Sequence, residues 1–524
     1  MTTTRPVTTA SSAALEPVRD PSRWWVLATV CVSTFMLTLD ITVVNVSLPA
    51  IQADLSASFG ALQWVVDAYA LGMAACLLTS GSLADRVGRR SLFAAGLVVF
   101  TAASVACGVA GSPLLLNLSR GVQGVGAAIL YAVGPAMLAA AFTGKERGTA
   151  FGLFGMTTGV SVAAGPLVGG ALTEIDWRWV FYLNVPTGLV ALLVVLAKVP
   201  ESARRGGRPV DRAGLVLFSS ALFLLVYGII RGPVTGWTAG STILCFTGCV
   251  VLVAAFVLVQ RRGRHPMLDL GLFANRTFDA LSAATFVLNF AVIPVILFGV
   301  LWMQGVLGHS AIETGLRFLP LTAMLLVAGV LGGVLSVRVA TNRLIGAALI
   351  LTGIGFLLLN AIGPEDDWTA ALVPFLVAGI GMGLFNPPRA NASVAIVAPE
   401  DSGMGSGVNE TFQQVGSALG VAVLGAVAHA RIADSLSGQP VPAAAVDAVA
   451  AGSIDRLTTE TSAAHAAELT DAAHRAFVSG LHAVATIGGL ASVIVGAAAL
   501  FLIRRRDFVQ DPAAPEHDDA PAPS

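Results

Sequence analysis

Fourteen apolar runs of roughly 20 residues, each long enough to span the hydrocarbon core of a bilayer, leave this chain few folds to choose from. They lie at 24–48, 61–80, 91–110, 113–141, 149–172, 178–198, 213–231, 238–259, 278–303, 311–336, 343–362, 369–388, 406–428 and 478–503. Only 12% of the residues are charged, about half the fraction of a soluble protein. The expectation is an all-α polytopic membrane protein with 14 transmembrane helices. Residues 1–23 read as a disordered extension. They lack the basic start and apolar middle of a cleaved signal. Residues 504–524 read as a tail.

Orientation follows from the basic residues, which favour the cytoplasmic side. The stretch Gly81-Ser82-Leu83-Ala84-Asp85-Arg86-Val87-Gly88-Arg89-Arg90 separates two apolar runs by a short, basic turn. With both termini inside, it is joined there by Lys145, Arg147, Lys198, Arg204, Arg205, Arg208, Arg212, Arg261, Arg262, Arg264, Arg276, Arg338, Arg343, Arg389, Arg504, Arg505 and Arg506. The outer loops hold Arg178, Arg231, Arg431, Arg456 and Arg475. The bias keeps its sign along the whole chain, as an even helix count requires. Residues 430–477 form a long, Ala-rich outer loop that suits either short surface helices or a solvated spacer.

An internal repeat divides the chain. Gly81-x-Leu83-x-x-Arg86 recurs as Gly333-x-Leu335-x-x-Arg338, and Gly124-x-Gly126 is echoed by Gly379-x-Gly381. Two six-helix halves, 24–198 and 278–503, with the pair 213–259 inserted between them, account for both echoes. Halves of this kind place a substrate site between them near the midplane.

The five cysteines (Cys31, Cys76, Cys107, Cys245 and Cys249) all fall inside apolar runs and read as small buried hydrophobes. The seven histidines have no metal-ligand spacing, and no Walker-type phosphate loop is present. Neither a cofactor nor ATP is expected, so transport energy would come from an ion gradient.

Charged groups inside a bilayer are costly and default to functional candidates. Asp40 lies past the middle of helix 1, Asp67 near the outer end of helix 2, and Arg120 in the outer half of helix 4. All three share one outer layer. Burial disfavours a charged carboxyl and a nearby arginine favours it. A carboxyl held between those effects can exchange protons or accept a cationic substrate. Asp40 tuned by Arg120 is one reading, and a structural ion pair is the other. Asp67 suits a site residue or a solvated helix end. Glu410 opens helix 13, followed by Gln413 and Gln414, and either takes part in transport or stabilises the helix dipole. Glu313 and Arg317, one turn apart at the start of helix 10, are expected to pair. Asn289, Gln304 and Asn386 offer hydrogen bonds, with Tyr69, Tyr131 and Phe385 as an apolar wall.

Two stretches carry geometry instead of charge. Gly159, Gly165, Pro166, Gly169 and Gly170 on helix 5 combine close helix packing with a proline bend. In the basic stretch, Gly81 and Gly88 suit a tight turn, and Asp85, Arg86, Arg89 and Arg90 can bridge helix ends as a cytoplasmic gate.

The form G-x-L-A-D-R-x-G-R-R resembles the signature loop of major facilitator transporters, and the rest of 24–503 resembles their fourteen-helix drug:proton antiporter family. Asp40, Asn45 and Pro49 follow that family's helix 1 pattern. Arg120-x-x-Gln123-Gly124-x-Gly126 is similar to its helix 4 proton-transfer motif, and Gly165-Pro166-x-x-Gly169-Gly170 to its exporter signature on helix 5. Trp177 through Phe181, with Asn184 and Pro186, adds to the likeness. The resemblance implies export of lipophilic drugs or antibiotics in exchange for protons by a monomer, with no enzyme activity and no nucleic-acid partner. The extra acids that relatives expelling divalent cations carry in the C-half are nearly absent here, which favours neutral, monocationic or anionic lipophiles. Composition rich in Ala, Gly, Val and Arg and poor in Lys fits the cytoplasmic membrane of a GC-rich bacterium. A proton-coupled importer or lipid carrier on the same scaffold is the alternative, and a non-transporting sensor a third.

Overall fold

The computed structural model describes residues 22–57, 59–142, 144–201, 211–263, 268–336, 338–398, 401–437, 443–450, 452 and 463–509. Among them every regular element is helical, since a helix satisfies its own backbone polar groups where lipid offers no partner. The first half comprises α1 (Ser22–Leu55), α2 (Phe59–Val87), α3 (Arg89–Gly108), α4 (Pro113–Ala141), α5 (Gly144–Ile175), and the short α6 (Trp179–Tyr182) leading into α7 (Asn184–Lys198). Helices α8 (Arg212–Thr235) and α9 (Gly240–Arg262) follow. Next come α10 (Arg276–Leu301), prolonged by a π-helical turn at Trp302–Val306, then α11 (Ala311–Arg317), α12 (Leu319–Leu335), α13 (Thr341–Leu358) and α14 (Leu372–Ala395). The chain closes with α15 (Ser402–Leu436), α16 (Ala443–Ala450) and α17 (Ala463–Leu502). Within 430–477, α15 therefore runs on to Leu436 and α17 begins at Ala463. Residues 1–21, 202–210 and 510–524, and most of 438–462, lie outside the described residues.

Among the described residues twelve helices are long and apolar enough to cross a bilayer, where the sequence reading expects fourteen. The other two runs differ from each other. One is α5, a single helix of 32 residues. The run 311–336 is broken at Phe318, ahead of Pro320 in the first turn of α12. Proline disfavours a helical residue before it and donates no N–H, so the apolar helix that follows falls short of the length of its neighbours.

One packing pattern occurs twice. Helix α4 lies against α2 and α3, α1 against α5, and α3 against α7; in the second set α14 lies against α12 and α13, α10 against α15, and α13 against α17. The pair α8 and α9 pack on each other, with α8 against α2 and α15.

The two sets meet along α2–α15 and α5–α12. Both seams bring backbone to backbone. A Cβ at Gly81 would lie 2.1 Å from the Gly403 carbonyl oxygen, and one at Gly333 would lie 2.6 Å from that of Gly148. Gly81 is thus a packing glycine inside α2 and no part of a turn. The turn is one residue, Gly88, at φ 110°, a region that favours glycine. On α5, Gly165 and Gly169 press on Thr42 and Val43 of α1, and Gly159 on Leu325 of α12. Gly170 faces open space, and Pro166 lies in the unbroken helical run.

Candidate functional site

Four helices converge on Asp40. Arg120 of α4 donates through Nη1 to Asp40 Oδ2 at 2.6 Å. Gln123, one turn on, donates to Oδ1 at 3.1 Å, and Asn184 at the start of α7 donates to the same oxygen at 2.8 Å. Ser104 of α3 accepts from Gln123 at 2.7 Å and from Asn184 at 3.4 Å. Arg120 also donates to the Val65 carbonyl at 3.0 Å and to Gln123 Oε1 at 2.7 Å, with its Cζ 4.2 Å from the Tyr69 ring centroid. Asp40, Arg120, Gln123, Ser104 and Asn184 are all at most 2% exposed.

Both carboxylate oxygens of Asp40 therefore accept hydrogen bonds, and its side chain is fully buried. A buried pair of this kind is held by the cost of leaving either charge alone. Asp67, expected in the same layer, is only partly buried and its electrostatic partner is Arg231 of α8.

A second buried pair joins α14 to α15. Arg389 Nη1 contacts Glu410 Oε1 at 3.1 Å and Asn409 Oδ1 at 2.6 Å, and Asn409 donates to Thr285 of α10 at 3.0 Å. Two expectations change here. Arg389 lies inside α14 and not in a loop, because that helix continues to Ala395 through Pro387 and Pro388. Glu410 does not open its helix: α15 begins eight residues earlier, at Ser402. Glu313 and Arg317 do not pair as expected. Glu313 instead accepts the Ser310 backbone N–H at 2.9 Å in a capping box, and Arg317 Cζ lies 5.8 Å from the Trp368 ring centroid.

At the Gly88 end, Asp85 crosses from α2 to the first turn of α15. It accepts the backbone N–H groups of Gly403 (3.1 Å) and Met404 (2.9 Å) and pairs with Arg89 at 3.1 Å. These are N–H groups that a helix start leaves without internal partners. Arg89 in turn donates to Ser402 Oγ at 2.6 Å. Arg90 reaches the Val195 and Leu196 carbonyls of α7, while Glu201 accepts from the backbone of Arg90 and Ser91. Arg86 lies in the last turn of α2. Gly81→Val is expected to hold α2 away from α15 and abolish transport while leaving expression within about twofold, because the clash falls on the seam and spares each helix's own core. Transport and yield measured together check this; normal transport would show that the seam is not needed.

A helical bundle with twelve membrane-crossing candidates among the described residues, and charge networks buried between its helices, is the architecture of a multi-pass membrane transporter. The chain belongs to the Major Facilitator Superfamily, whose sequence profile matches residues 30–421. It is 31% identical to the tetracenomycin C resistance and export protein of Streptomyces glaucescens over 95% of this chain and 94% of that protein. It is 36% identical to the puromycin resistance protein pur8 of Streptomyces alboniger over 83% of this chain and 87% of that one. Among solved structures, the human organic anion transporter MFSD10 shares the fold with a TM-score of 0.61 at 13% identity, over 93% of this chain and all of that one.

Proposed function

We propose that this protein exports lipophilic drugs or antibiotics across the bacterial cytoplasmic membrane in exchange for protons, by alternating access. The observation that carries this reading is the buried Asp40–Arg120 pair, which joins a carboxyl to an arginine inside the helix bundle. The relatives named as antibiotic resistance and export proteins support the direction of transport. In this reading α5 and the broken α11–α12 also cross the bilayer, giving fourteen helices. They form halves 24–198 and 278–503 with 213–259 inserted, and both termini and the Gly88 end face the cytoplasm. The protein works as a monomer, with the proton gradient as its energy source and no cofactor.

Roles follow from placement. Asp40 carries the proton, and Arg120 holds the carboxylate form until a proton arrives. Asp85, Arg86, Gly88, Arg89 and Arg90 close the cytoplasmic side, with Gly81 in the seam. Gly159, Gly165, Pro166, Gly169 and Gly170 let α5 slide and bend between α1 and α12. Asp67 lies apart from this pair.

The test is drug-induced proton release from acid-loaded inside-out vesicles. Wild type is expected to release protons on addition of a substrate, and Asp40→Asn to release none while still binding drug. Equal release from both would remove Asp40 from the coupling path.

A further inference from the structure

Helix α17 spends most of its surface on its neighbours. Gly480 meets Ile432 of α15, Gly488 meets Ala291 of α10, and Gly489 meets Gly353 and Leu357 of α13. The remaining face looks away from the bundle. Ile487, Leu490 and Ile494, at helical spacing, are 40%, 47% and 65% exposed, which suits contact with lipid tails.

Between this face and α15 lies a recess of about 310 Å³, lined from α15 by Val427 and Arg431 and from α17 by side chains between Ser479 and Ile487. Its polarity is graded along the helices. Arg431 lies about 43 Å along α15 from Ser402, past the roughly 30 Å of a hydrocarbon core. Val427 is one turn nearer the middle. On α17, Ser479 and His482 stand at the Arg431 level, and the stripe from Ile487 to Ile494 leads inward from them. The polar wall is partly fixed: His482 Nε2–H donates to the Ile362 carbonyl, and the Thr486 hydroxyl to Asn360 Oδ1, each at 2.9 Å. Arg431 is exposed and, among the described residues, has no ion pair, although Asp434 lies one turn further along α15. No acidic side chain lines the recess.

We propose that this recess is a binding site for one anionic glycerophospholipid. The Arg431 guanidinium, whose planar fork matches a phosphodiester, and the Ser479 hydroxyl hold the phosphate, and the acyl chains lie along Ile487, Leu490 and Ile494. Ligand pockets run from about 300 to 1,000 Å³, so the recess suits one headgroup better than a bulky cargo. A zwitterionic headgroup is disfavoured, because its ammonium meets Arg431 and His482 and no lining carboxylate. The site is separate from the export reading; only its assignment to the outer leaflet rests on the orientation proposed above.

Native mass spectrometry of the purified full-length protein in detergent tests this, with dioleoyl phosphatidylglycerol, dioleoyl phosphatidylcholine and glycerol 3-phosphate as probes. Wild type is expected to hold one phosphatidylglycerol more tightly than phosphatidylcholine and to retain no glycerol 3-phosphate. Arg431→Gln is expected to raise the phosphatidylglycerol Kd about tenfold to a hundredfold, the loss of a charge-assisted hydrogen bond. Ala483→Trp, which fills the recess and leaves the arginine in place, is expected to do the same. Arg475→Gln removes another exposed cation of α17, outside the recess, and is expected to leave that Kd unchanged. Arg431 lies on the surface, so its variant should unfold at the wild-type temperature in lipid-free detergent, and Ala483→Trp supplies the test independently of the arginine. An equal loss in Arg475→Gln would reduce the effect to general surface charge. That result, no loss in Arg431→Gln or Ala483→Trp, equal affinity for phosphatidylcholine, or equal retention of glycerol 3-phosphate would each overturn the assignment. Failure of proton release in vesicles would remove the antiport and leave this site standing.

Discussion

Arg120→Ala is expected to destabilise the folded protein by about 3–5 kcal/mol, the cost of stranding a buried partner charge. The guanidinium bonds Asp40, Gln123 and the Val65 carbonyl together and lies on the Tyr69 ring. Its removal leaves an unpaired carboxylate and an emptied pocket among α1, α2 and α4. The protein should express at a fraction of wild-type yield and unfold at markedly lower temperature in detergent. Arg120→Gln combined with Asp40→Asn removes both charges but keeps hydrogen-bonding groups, and should recover most of the stability without restoring coupled transport. Thermal unfolding of the three proteins is the measurement. A single variant as stable as wild type would mean that the pair carries no structural weight.

Asp85→Ala is expected to shift the balance between closed and open forms by about 3 kcal/mol, roughly a hundredfold, towards a parted α2–α15 seam. Its carboxylate satisfies two N–H groups of α15 and the Arg89 guanidinium. Those groups are hidden from water only while α2 and α15 touch, so the loss falls on the closed form and spares the fold. Spin labels attached through Val87→Cys and Ala398→Cys should report a longer mean distance in the variant, with yield unchanged. An unaltered distance distribution would take Asp85 out of the closure.

Much of this was legible before the structure. Asp40 and Arg120 stand out because charges are rare in apolar runs, and the helix directions place them in one layer. The basic stretch was legible as a helix-to-helix junction. What sequence periodicity does not convey is which side chains meet across helices. Ser104 sits in an apolar run, and only the contacts of α3 with α4 and α7 make it an acceptor for Gln123 and Asn184. Arg389 reads as a loop cation because the apolar run stops at 388, yet the helix runs on through Pro387 and Pro388 to Ala395. Glu313 and Arg317 have ideal pairing distance along a helix, but the capping box at Ser310 takes the carboxylate first. The shortening of the tenth apolar run follows from Pro320, whose effect on Phe318 and Leu319 a hydropathy reading averages away.

The seams that join the two sets of helices are made of glycine backbone, Gly81 against Gly403 and Gly333 against Gly148 and Gly152. A contact of this sort admits no side chain: in the proposed cycle the hinge works through absence of bulk, while recognition falls to side chains that lie beside it. The two duties can therefore drift apart. Substitutions that retune which molecules enter leave the moving surfaces untouched, so one chassis can acquire a new cargo by a handful of changes without relearning how to move.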